Sequence, residues 1–152
     1  KSNDSFEYRA ADTNALAFYN EDGSLLAMRT GGLFDKKGNI WLSDNTGLWR
    51  FDGSSFTRVS ERPAAAILED KNGNIWTTVS ENDYVIDAWT LTRYDQKTLY
   101  DKNPAVTTIL SKQKMLSMLM EANDGSIWIG AMNGLFRYDG KSITDFKNKE
   151  GK

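Results

Sequence analysis

Glu69 and Glu121 each stand seven residues before a tryptophan, Trp76 and Trp128. Two carboxylates can share acid–base work where their surroundings push their pKa values apart. Both lie beside Gly-containing turns, where a carboxylate is ordinarily solvated, and the matching place in a third segment holds Phe34. Asp70-Lys-Asn-Gly-Asn74 and Asn123-Asp-Gly125 faintly resemble calcium loops. They lack the spaced acidic ligands and the closing bidentate glutamate that calcium takes, so turn formation explains them. Arg50, Arg93 and Arg137 recur at equivalent places, and such a row could hold an anion through bidentate bonds. Each has an aspartate two residues on (Asp52, Asp95, Asp139), on the same face of a strand, so structural ion pairing is expected. The chain has no His and no Cys, which removes the commonest general base, the commonest metal ligand, thiol catalysis and disulfides. No catalytic residue, no metal site and no cofactor is assigned.

These residues sit in a repeated frame. Leu33-Phe-Asp-Lys-Lys-Gly-Asn-Ile-Trp41, Leu68-Glu-Asp-Lys-Asn-Gly-Asn-Ile-Trp76 and Met120-Glu-Ala-Asn-Asp-Gly-Ser-Ile-Trp128 are near copies. Each is followed by a second echo: Leu48-Trp-Arg-Phe-Asp-Gly53, Leu91-Thr-Arg-Tyr-Asp-Gln96 and Leu135-Phe-Arg-Tyr-Asp-Gly140. A repeated unit cannot bury its apolar surface alone and stacks on its neighbours. In the first unit the short β-prone runs are broken at Asp35-Lys-Lys-Gly38, Asn45-Thr-Gly47 and Asp52-Gly53, which predicts four antiparallel strands. Four strands in about 35 residues is a propeller blade. The fold class expected is therefore all-β, a propeller-type array with blades over 33–60, 64–112 and 116–148 and a partial blade over 5–30, all in one domain, 1–152. The partial blade is read from a hairpin around Glu21-Asp-Gly23. Trp41, Trp76 and Trp128 are expected to fill the seams between blades. Closure into a small ring, or pairing with a second copy, is favoured over an open stack because it covers unpaired edges.

The repeated residues resemble the two-component-regulator propeller repeat, which runs roughly I-x-E-D-x-x-G-N-I-W followed by G-L-x-R-Y-D-G. The resemblance covers about Leu33 to Lys149. It implies a sensor-type β-propeller of the kind found in bacterial hybrid histidine kinases and related exported lipoproteins. It also implies a periplasmic or outer-membrane-anchored setting, and binding rather than catalysis. The chain has fewer repeats than the usual seven-bladed ring.

Composition agrees with a folded domain: 152 residues, 39% hydrophobic, 26% charged, 12% aromatic and two prolines. No apolar run approaches the roughly 18 residues of a membrane span. A net charge of −2 gives no footprint for nucleic acid. The chain opens at Lys1 without a methionine, which suits a processed form, a cloning boundary or a fragment.

The second unit is irregular. From Trp to the repeated Arg takes nine residues in the other units (41 to 50, 128 to 137) but seventeen here (76 to 93). From Arg to the next Trp takes 26 residues after the first unit (50 to 76) and 35 after the second (93 to 128). Long loops in a compact domain often carry function. Placing the extra residues at Glu81–Ala88 and Tyr100–Lys114 puts both on one face of the propeller. Tyr84 and Trp89 then offer stacking surface, flanked by Asn82, Asp83 and Asp87, for a small carbohydrate or peptide. The function expected is a non-enzymatic binding or sensing module. A structural scaffold that pairs with further blades, another copy or a protein partner is the alternative, and a propeller lyase or hydrolase is a third reading.

Overall fold

The computed structural model describes residues 32–44, 46–82 and 86–146, together with the backbone of three strands at 7–10, 15–19 and 25–30. Among the described residues there are only strands, turns and loops, and no helix. β1 (Glu7–Ala10), β2 (Ala15–Tyr19) and β3 (Leu25–Thr30) form a three-stranded antiparallel sheet in chain order. The expected Glu21-Asp-Gly23 turn lies outside the described residues, but the strands it would join, β2 and β3, do pair.

Three four-stranded antiparallel meanders follow, as the repeats predict. The first is β4 (Leu33–Phe34), β5 (Ile40–Asp44), β6 (Gly47–Phe51) and β7 (Phe56–Ser60). The second is β8 (Ala64–Glu69), β9 (Ile75–Ser80), β10 (Trp89–Tyr94) and β11 (Val106–Gln113). The third is β12 (Leu116–Glu121), β13 (Ile127–Ala131), β14 (Gly134–Tyr138) and β15 (Ile143–Asp145).

Strand alternation gives each blade two apolar faces, which is why the blades stack. In the second blade the cross-strand row Leu68, Trp76, Arg93 looks toward the third blade, and the row Glu69, Ile75, Tyr94 looks back at the first. One core forms where Trp41 and Leu48 meet Ala64, Ile75, Tyr94 and Leu99. The other forms where Trp76, Trp89 and Leu91 meet Leu116, Ile127, Ile129 and Phe136. Each buried Leu, Ile or Phe among them contributes roughly 1.5–3 kcal/mol of hydrophobic stabilisation.

The repeated aspartate organises each turn. Asp35 accepts hydrogen bonds from the backbone N–H groups of Lys37 and Asn39 (both 2.9 Å), from Asn39 Nδ2 (2.8 Å) and from buried Trp41 Nε1 (2.9 Å). Asp70 repeats the pattern with Asn72, Asn74 and Trp76 Nε1 (2.8 Å). The third unit has Ala122 at that position. Its turn is held by Asp124, which accepts from Ser126 N (2.9 Å) and Oγ (2.6 Å), while Trp128 Nε1 donates to Ser126 Oγ (3.1 Å).

Successive blades are tied as well as packed. Lys36 N–H in the first turn donates to Glu69 Oε2 of the second blade at 2.8 Å, and Lys71 N–H donates to Glu121 Oε2 of the third at 2.8 Å. The outward face of the third blade leaves Met118, Met120 and Leu135 exposed. The stack of described blades therefore leaves a face that closure into a ring or pairing with a second copy, both favoured on sequence grounds, would cover.

Candidate functional site

The sequence-predicted rim does not assemble as expected. The connection after β9 (residues 81–88) leaves one end of the second sheet. The extra residues after β10 (residues 95–105) leave the opposite end, because the Val106–Gln113 segment is the fourth strand itself. Among the described residues, the second insertion meets the first at its end: Lys114 Nζ lies 2.7 Å from Asp87 Oδ1, and the adjoining Met115 N–H donates to Ile86 O at 2.8 Å. Asn82 and Asp87 are exposed, whereas Asp83 and Tyr84 lie outside the described residues. Trp89 is a correction. It is 1% exposed and belongs to the core between the second and third blades, because as the first residue of β10 it falls on the same face as Leu91.

The second insertion is a clamp on the first blade. Leu99 is buried beside Trp41, and Tyr100 Oη donates to Asp35 Oδ2 at 3.0 Å. The Tyr100 ring also takes the Arg50 guanidinium at 4.6 Å and the Lys37 ammonium at 4.3 Å. Burial and the adjoining Asp35 carboxylate push the Tyr100 hydroxyl up to about 12. For Asp35, burial pulls upward, but hydrogen bonds from Trp41, Asn39 and Tyr100 outweigh it and hold the carboxyl below its ordinary value.

The residues considered first for chemistry have structural partners. Glu69 and Glu121 are half-buried ties to the preceding turn instead of solvated turn carboxylates. The arginines lie over the tryptophan rings directly across the ladder. The distances are 6.0 Å for Arg50 on Trp41, 5.7 Å for Arg93 on Trp76 and 5.9 Å for Arg137 on Trp128. The expected pairing with the aspartate two residues on gives way to this stacking, since Asp52, Asp95 and Asp139 accept backbone N–H groups of their own turns. Arg137 alone of the three also pairs with a described carboxylate, Asp124, at 2.9 Å.

A concavity lies between the outer strands of the first and second blades. It has a volume of about 420 Å³. Val59, Ser60 and Arg62 form one wall. The other is built from Val79, Glu81, Thr90, Thr92 and Tyr94, then Lys102, Asn103, Pro104, Val106 and Thr108. β10 positions its share by alternation: Trp89, Leu91 and Arg93 face the third blade, so Thr90, Thr92 and Tyr94 face the groove. Thr90 Oγ1 donates to Glu81 Oε1, and the Thr92 and Thr77 hydroxyls share a bond of 2.7 Å. Burial raises the Tyr94 hydroxyl above its ordinary value, with Ser60 as its hydrogen-bond neighbour. Hydroxyl, amide and mixed-charge groups over a valine-rich floor suit hydrogen bonding to a polar neutral molecule better than proton transfer.

No protein-family model matches the chain, and no curated protein matches it. Among solved structures, it is similar to the extracellular domain of a hybrid two-component system protein from B. thetaiotaomicron. The alignment covers 100% of this chain and 29% of the neighbour, with 13% sequence identity and a TM-score of 0.39.

The groove residues were missed by reasoning from loop length. The available signal was Thr90-Leu-Thr-Arg-Tyr94, whose alternation puts hydroxyls on one face of a strand otherwise built for a core.

Proposed function

We propose that the chain is part of a non-enzymatic, extracytoplasmic binding or sensing module of propeller type. Its ligand, a neutral carbohydrate or a peptide, lies in the groove between the first and second blades. The observation that carries this reading is the groove itself. Ser60, Thr90, Thr92, Thr108 and Asn103 supply donors and acceptors, while Val59, Val79 and Val106 supply apolar contact. The extracytoplasmic setting follows from the likeness of the repeated residues to sensor-propeller repeats. A catalytic reading finds less support: the matched pair Glu69 and Glu121 is engaged with backbone N–H groups of neighbouring blades.

Calorimetric titration with a panel of neutral oligosaccharides and short peptides tests the proposal. For the ligand that binds, the double variant Asn103→Ala/Thr108→Val is expected to weaken affinity about tenfold or more, the loss of two hydrogen bonds. An unchanged affinity, or turnover of any panel member, contradicts it.

A further inference from the structure

The connection from β10 to β11 (residues 95–105) has two working sides. Its first half grips the first blade. Leu99 is buried beside Trp41, and Arg50 Nη1 donates to Leu99 O at 3.2 Å. Tyr100 Oη donates to Asp35 Oδ2 at 3.0 Å and accepts from Asn39 Nδ2 at 3.2 Å, while the Arg50 and Lys37 cations lie over its ring. The second half, Lys102, Asn103 and Pro104, lines the groove between the first and second blades. The loop is closed at its base by Asp95 N–H on Ala105 O (3.0 Å) and Ala105 N–H on Thr98 Oγ1 (2.8 Å), and Asp101 N–H on Thr98 O (2.9 Å) turns it. Lys102 and Asn103 are exposed and make no hydrogen bond with a described residue. Pro104 limits its own φ and biases Asn103 to an extended backbone, so the place of all three is set by their flanks, Tyr100–Asp101 and Ala105. The matching connection in the third blade is a tight turn, Asp139 N–H to Ser142 O (3.2 Å), with only Gly140 and Lys141 between. Grip and groove wall therefore come with the same insertion.

From this two-sided loop we infer that Tyr100 is a positioning residue for the groove, an inference that rests on the groove reading given above. Tyr100 anchors the loop on the first blade and so holds Lys102 and Asn103 where a ligand meets them. Their ammonium and amide groups, free of partners in the fold, then donate to acceptor oxygens at that end of the ligand. Tyr100 itself stands outside the groove lining, so its effect on binding passes through the backbone of residues 101–103. Without the anchor, residues 102–104 have to be ordered by the ligand, and that cost appears as weaker affinity. The phenol contributes in two parts. Its hydroxyl is tied to Asp35, and its ring packs against the Arg50 and Lys37 cations, so Tyr100→Phe keeps one part and Tyr100→Ala loses both.

The test compares the full chain with its Tyr100→Phe and Tyr100→Ala variants. Without ligand, backbone nitrogen relaxation should give Lys102 and Asn103 order parameters of about 0.85 in wild type and below about 0.6 in Tyr100→Ala, with Thr90 and Thr92 unchanged. Calorimetry then uses the oligosaccharide or peptide of the panel whose affinity falls in Asn103→Ala/Thr108→Val. Tyr100→Ala should bind it about fivefold or more weakly, with an intermediate loss for Tyr100→Phe. Phe136→Leu, a truncation in the core between the second and third blades, is the stability control and should keep wild-type affinity. Wild-type affinity in Tyr100→Ala, or unchanged order parameters at Lys102 and Asn103, overturns the inference and leaves the groove reading standing. So does an equal loss in Phe136→Leu, since affinity then follows stability alone. If Tyr100→Ala does not fold, Tyr100→Phe carries the test, and a loss below about twofold overturns the inference. A panel from which nothing binds the wild type overturns the groove reading and this inference with it.

Discussion

Asp35→Ala removes one carboxylate and strands several donors at once. Asp35 accepts from Lys37 N–H, Asn39 N–H, Asn39 Nδ2, Trp41 Nε1 and Tyr100 Oη. Water can replace it at the exposed Lys37 and at the Asn39 amide. The Trp41 indole N–H is buried with its ring, and leaving it unpaired costs about 1–3 kcal/mol. Loss of the charge-assisted bond from Tyr100 adds about 1 kcal/mol at a partly exposed site. The expected destabilisation is therefore about 3 kcal/mol, read as a fall in the urea unfolding midpoint at unchanged slope. The third unit supplies the control, because Ala122 stands at the equivalent place and Asp124 with Ser126 holds that turn. Transplanting that solution as Asp35→Ala/Lys37→Asp/Asn39→Ser should recover about half of the loss, by giving Trp41 a hydroxyl acceptor and Arg50 a carboxylate. A loss below about 1 kcal/mol for Asp35→Ala, or no recovery in the triple variant, refutes the role given to this aspartate.

Tyr100 is the alkaline limit of the clamp. Its hydroxyl is raised to about 12 in the folded chain, against about 10 when unfolded, so its contribution is complete below about pH 10 and is lost as pH rises toward 12. The stability difference between wild type and Tyr100→Phe, measured by urea unfolding at pH 9 and pH 11, should shrink at the higher pH. Trp89→Ala should cost about 3–5 kcal/mol as a core truncation, while Asn82→Ala stays within about 0.5 kcal/mol; thermal unfolding of the two variants separates core from rim. Gly47 has φ +139° and a Cβ there would lie 2.0 Å from Ser60 O, so Gly47→Ala should destabilise strongly. Gly38→Ala, at φ +85° in open space, should lose only about 1–2 kcal/mol, and comparable unfolding midpoints for the two would contradict this.

The repeat was legible because turn chemistry and strand alternation are local. Asp35-Lys-Lys-Gly38 and its copies mark turns whose glycines have positive φ, and the alternation around Trp41, Trp76 and Leu91 gives the buried face directly. The site was less legible because it depends on where extra residues leave a sheet. The run Val106-Thr-Thr-Ile-Leu110 is strongly β-forming and follows Pro104, so the chain is already in the fourth strand where a connecting loop was expected. That shift moves Leu99 and Tyr100 to the end of the blade remote from residues 81–88, where they clamp the first blade. Trp89 was misplaced for a related reason. Counted from the repeated arginine, β10 begins one residue earlier than the third strands of the other blades, which converts an expected rim aromatic into core. The roles of Glu69 and Glu121 were hidden because their partners, Lys36 N–H and Lys71 N–H, lie 33 and 50 residues away.

Amide chemical-shift mapping of the labelled chain during titration with neutral oligosaccharides and short peptides is the most direct test of the binding groove. The ligand that binds should move the amides of Thr90, Thr92, Tyr94, Asn103 and Thr108 and leave those of Asn82 and Asp87 in place. A ligand that shifts Asn82 and Asp87 while the groove amides stay fixed, or a full panel that moves none of the groove amides, contradicts a binding site between the first and second blades.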